Sequence, residues 1–145
     1  MAFQFSLESV LRVRGMVEER EERLLQRILF EVSQTREALA STIAEIAELD
    51  ASHRSEIFKP LIGRQIHASY GKAEELRQRR KALEGQIHKF EELRNQQRIV
   101  YESARRNREM LTDMRIDKRS DYESDLSKRE QRTLDDNFIA RRGRF

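Results

Sequence analysis

The sequence predicts an all-α protein, a long antiparallel two-helix coiled-coil hairpin with an overhanging C-terminal helix. Three observations carry this. From Val32 to His53 the apolar and small side chains fall at Val32, Thr35, Leu39, Thr42, Ile46, Leu49 and His53, in alternating steps of three and four. A second run, Ile66, Ser69, Ala73, Leu76, Arg80, Leu83, Ile87 and Phe90, follows the same rule. The single proline, Pro60, lies in the gap between them. Steps of three and four hold one narrow seam on one helical face, which is how two helices wind around each other.

Taken in order, the chain reads as one coiled-coil hairpin over 1–145: helix one about 6–57, a turn about 58–65, and helix two about 66–140. Ser6 is placed to cap the first helix, and Glu8 sits in the first turn, where the helix dipole favours an acid. Phe5 and Val10 have the spacing of a hydrophobic staple across that cap. The stripe is then expected through Val10, Val13, Val17 and Leu24, with two steps of four to Ile28 and Val32, a stutter that unwinds the supercoil locally. Pro60 disfavours helix at Lys59, and Gly63 offers the freedom a reversal needs. Beyond that point no proline interrupts, so helix two can run for roughly 70 residues, or about 100 Å.

Folding the chain back near residue 61 puts Leu49 opposite Ala73, Ile46 opposite Leu76, Leu39 opposite Leu83 and Val32 opposite Phe90, to within a turn. Farther from the turn the layers become polar, with Glu21 on one helix and Arg94 and Gln97 on the other. Val10 near Leu111 and Met114 should restore an apolar clasp. The first helix is used up near Ser6, so the residues after about 116 have no partner within the hairpin. That overhang carries Tyr122, Leu126, Leu134 and Phe138 on one broad face, with Ile139 alongside. Such side chains left in water each forgo about 1.5–3 kcal/mol of available burial. An amphipathic helix waiting for another protein's groove is the reading we adopt, against folding back or fraying.

Composition narrows the function classes. The chain holds 29 basic and 26 acidic residues and no cysteine, so a disulfide framework, a thiol nucleophile and a thiolate metal site are excluded. No run approaches the ~18 apolar residues of a membrane span, and the opening residues lack a secretory pattern; a soluble, cytoplasmic protein is expected. Arginines alternate with acids at helical spacing, as in EEREERLLQR, so they read as solvated faces rather than a nucleic-acid surface. His53, His67 and His88 are scattered without metal-ligand spacing, and neither a phosphate-binding loop nor a nucleophile motif is present. We expect no enzyme, no cofactor, no metal, no nucleic-acid partner and no direct membrane insertion.

The opening FQFSLESVLRVRGMVEE, with Phe3, Phe5 and Leu7 leading into Val10, Leu11, Arg12 and Arg14, resembles the start of the flagellar FliJ family of export proteins. The closing KREQRTLDDNFIARR is similar to that family's basic and acidic C-terminal run, here with the step Leu134-Asp135-Asp136. The family's tyrosines near the tip of the first helix have no counterpart in STIAEIAELDASHR. The resemblance implies a stalk-like, soluble rod of the flagellar type III export apparatus, peripherally attached at the flagellar base. Its partners would be a hexameric export ATPase, a transmembrane export gate protein and export chaperones. The ATPase end would comprise Phe5, Leu7, Tyr122, Leu126, Leu134, Asp135, Asp136 and Phe138. Periodicity equally allows the corresponding stalk of a virulence-type secretion system, or a coiled-coil adaptor that homodimerises.

Overall fold

A computed structural model describes residues 2–56 and 63–144. It consists of two helices, α1 (Glu8–Glu56) and α2 (Gly63–Arg142), and among the described residues there is no strand. The fold is the all-α helical hairpin expected. Pro60 and most of the anticipated turn lie outside the described residues, but Gly63 does not: it is the first residue of α2, and no described glycine has a positive φ. The reversal therefore makes no use of Gly63's left-handed freedom.

The start of α1 also differs from expectation. Leu7 C=O accepts from Leu11 N–H at 2.9 Å, and Phe5 C=O accepts from Glu8 N–H at 3.2 Å. Leu7, not Ser6, thus occupies the cap position, with residues 5–8 closing a turn ahead of it. Val10 is 43% exposed, so the anticipated staple with Phe5 does not bury it.

The chain divides into two compact units, one of Glu22–Val100 and one of the residues up to Glu21 with those from Tyr101 onward. In the first, the anticipated seam is present. Val32, Thr35 and Thr42 on α1 and Ala73 and Leu76 on α2 are buried, while Leu39, Ile46, Leu49, His53, Leu83, Ile87 and Phe90 are half-buried. Arg80 holds a seam number but stays exposed and pairs with Glu84 along its own helix at 3.1 Å. Antiparallel pairing follows from two cross-helix contacts: His53 Nε2 hydrogen-bonds Ser69 Oγ, and Arg36 reaches Glu91 at 2.6 Å. Strict fold-back numbering puts Gln86 opposite Arg36, so this ion pair spans about one turn along the axis.

Thr42, 1% exposed, is the most enclosed side chain among the described residues. Its hydroxyl donates to Ala38 C=O at 2.9 Å, a bond within its own helix that contributes nothing to the pairing. Thr42→Val keeps the shape and removes a buried polar group, so chemical denaturation should find the variant as stable as the parent or up to about 1 kcal/mol more so.

In the second unit the seam departs from the expected stripe. Val10 and Val13 face outward, while Val17 of that stripe is half-buried as are Leu11 and Glu18, and Glu21 is only 7% exposed. On α2 the matching positions are Tyr101, Ala104, Arg108 and Leu111, Ala104 being buried. Of the apolar clasp expected from Val10 with Leu111 and Met114, Leu111 is half-buried while Val10 and Met114 are exposed; the half-buried apolar residue of α1 at that level is Leu11. Within the first unit, Val32, Ile28 and Leu25 step by four and three, so Leu25 takes the inward position expected of Leu24. Glu18 and Glu21 are tolerated inward because each finds an arginine.

Candidate partner-binding surface

Those pairings build the unit that holds the candidate site. Arg108 grips Glu18 with both Nε and a terminal nitrogen, the latter at 3.2 Å, a two-pronged geometry that adds directionality to the charge attraction. The hydrogen bond to Glu18 raises the Arg108 pKa further above its ordinary value. Arg20 Nη2 lies 3.0 Å from Glu21 Oε1, and Arg115 lies 3.3 Å from Glu8. Farther along, the Phe3 and Tyr122 rings meet at 5.7 Å between centroids, tilted by 49°.

That aromatic contact changes the limits of the overhang. The segment before α1 reaches Tyr122 rather than stopping opposite residue 116, so Tyr122 is half-buried and belongs to the paired region, as do the half-buried Phe5 and Leu7. From Glu123 to Arg144 every residue is exposed, and α2 continues to Arg142. The free stretch 123–142 is about 30 Å long at helical rise.

The other candidate residues lie on it. Leu126, Leu134 and Phe138 are 43%, 69% and 62% exposed. Asp135 and Asp136 are exposed on the same stretch. At about 100° per residue, Leu126, Leu134 and Phe138 fall within an arc of about 120°, while Asp135, Asp136 and Ile139 lie outside it. The structure thus separates the eight residues into three groups: Phe5, Leu7 and Tyr122 at the base, an apolar arc, and two acids off that arc. Arg142 stacks over the Phe138 ring at 5.6 Å, a cation–π contact that holds the ring against the helix.

Nothing comparable gathers around polar chemistry. Among the described residues no group of three or more His, Asp or Glu is placed to hold a metal ion. His53 sits in the seam, bonded to Ser69 with the Tyr70 ring 5.5 Å away. A groove beside Ile46 is lined by Asp50, Glu74, Arg77, Gln78, Arg80, Lys81 and Glu84, charges of both signs in near balance. Glu91 is held below its usual carboxylate value, chiefly by the hydrogen bond it accepts from Arg36, against the opposing effect of burial. Because folding depresses this pKa, the pair's stabilisation is present above the ordinary carboxylate value of 4.5 and is lost as pH falls through the lower folded value. Arg36→Gln should therefore lower the neutral plateau slightly and leave the acid end unchanged, which flattens the acid limb between them, read by denaturation at successive pH values.

Sequence reasoning missed Phe3–Tyr122 and Glu18–Arg108. The signal was available for the second: fold-back numbering sets Ala104 opposite Glu18, and Arg108 lies one turn beyond, within reach of a long side chain.

No described helix is long and apolar enough to cross a membrane. The chain matches no family profile, and no curated protein or solved structure is significantly similar to it.

Proposed function

We propose that the protein is a soluble stalk-like component of bacterial flagellar type III protein export. In this reading the helical hairpin links and stimulates a hexameric export ATPase and connects it to the transmembrane export gate, working at the cytoplasmic side of the flagellar base and receiving export chaperones. One observation carries the reading: α2 outlasts its pairing with the N-terminal segment and presents Leu126, Leu134 and Phe138 to solvent on the same unit as the paired base. A stalk inside a ring needs length, stiffness and a surface that several subunits meet in turn. Helices of 49 and 80 residues are elements of the length such a part needs. A narrow apolar arc set among mixed charges gives contacts of modest strength that form and release readily.

The resemblance of the opening and closing segments to the FliJ family supports the flagellar assignment over the virulence-type stalk. The part of the hairpin nearest the reversal would face the gate. The test is hydrolysis by the hexamer-forming export ATPase encoded in the same genome. Adding this protein should raise the rate, and an unchanged rate with a competent ATPase would sink the assignment.

A further inference from the structure

The overhang's charges are not spread evenly. Its root carries Asp121, Glu123 and Asp125 with no base between Ser120 and Ser127, while its far end carries Arg141, Arg142 and Arg144 with no acid after Asp136. Such a helix is complementary to itself when reversed. Helical geometry sharpens the match: Glu123 and Arg141 both fall at the centre of the arc of about 120° that holds Leu126, Leu134 and Phe138. Every residue from Glu123 onward through Arg144 is exposed, so the face is open along its whole length.

We infer that this face is an interface for a second copy of the chain, the two overhangs lying antiparallel about a two-fold axis near Arg132. In that register Glu123 of each copy is level with Arg141 of the other, and Leu126 is level with Phe138. Two ion pairs then flank a short seam to which each copy brings Leu126, Leu134 and Phe138, with Glu130 on the same arc level with Leu134 of the other copy. Glu123 already pairs with Arg119 on its own helix at 3.2 Å, both side chains well exposed. Arg141 joins that pair across the interface and makes it a three-membered cluster. A parallel arrangement would set Glu123 against Glu123 and Arg141 against Arg141, so the charges select direction as well as partner. The inference stands apart from the export reading, although pairing would cover the face assigned to the ATPase.

The full-length chain should show a mass rising from monomer to dimer by sedimentation equilibrium between about 5 and 500 µM. Glu123→Arg and Arg141→Glu, each alone, should weaken self-association by about tenfold or more, because each turns two attractive pairs into two repulsive ones. An equimolar mixture of the two variants should regain dimers, since both mixed pairs are again opposite in sign. The double variant should dimerise as the parent does, which also establishes that neither substitution damages the fold. A parent chain monomeric throughout that range overturns the proposal and leaves the face to a different protein. So does a dimer indifferent to the swaps, or a mixture that stays monomeric.

Discussion

Replacing Leu76 with alanine is expected to cost about 2–3 kcal/mol of stability, the largest loss we anticipate from any single truncation. Leu76 is one of the few large apolar side chains driven fully out of water, at 6% exposure, and its neighbours along α2 in the seam are the small Ala73 and the half-buried Leu83. A seam one side chain wide has few others to share the load. The estimate sits at the low end of leucine truncations because two helices can draw together over a gap more readily than a closed core can. Urea unfolding followed by circular dichroism should show a lower midpoint with unchanged slope. Leu76→Met should cost under about 1.5 kcal/mol, and Leu134→Ala, on the exposed overhang, within about 0.5 kcal/mol either way. Equal losses at 76 and 134 would contradict the partition between seam and overhang.

The second large effect is functional. Removing everything after Ser120 should return a stimulated export ATPase to its basal rate. The cut removes Tyr122, so Phe3 loses a contact worth about 0.5–1.5 kcal/mol. It spares Glu8–Arg115 and Glu18–Arg108, which tie the same unit together, and the helical content per residue should persist. Replacing Leu126, Leu134 and Phe138 together with alanine in the full chain separates surface from length. If the apolar arc is the contact, this variant stimulates as poorly as the truncation. Full stimulation by either variant would place the ATPase contact elsewhere on the chain.

Much of this was legible in the sequence, for a specific physical reason. Between Val32 and His53 the inward positions are apolar, small or hydroxyl-bearing, so hydrophobicity alone marks the face. The seam could be read there residue by residue. Toward the N-terminus the same reading fails. Val10, Val13 and Leu24 looked inward by hydrophobicity, yet the helix turns Glu18 and Glu21 in and leaves those three exposed. The cross-helix ion pair of Glu18 with Arg108 favours this rotation, and no pattern of apolar spacing contains that information. The overhang was legible in kind but not in extent. The tilted Phe3–Tyr122 contact extends the paired region through a segment that is not helical, where periodicity says nothing. Gly63 illustrates the converse: its permissiveness suggested a turn, but permission is not requirement, and the residue is helical.

Within each unit the cross-helix partners keep nearly one arithmetic relation, His53 with Ser69 and Arg36 with Glu91 in one, Glu8 with Arg115 and Glu18 with Arg108 in the other. Long side chains take up about a turn of offset along the axis, but the face each residue presents is fixed by its place in the helix. A single codon gained or lost inside either paired arm would rotate all later side chains by roughly 100° and mismatch every pairing beyond it. Length polymorphism should therefore be absorbed at the bend or past Glu123, or arrive in whole heptads.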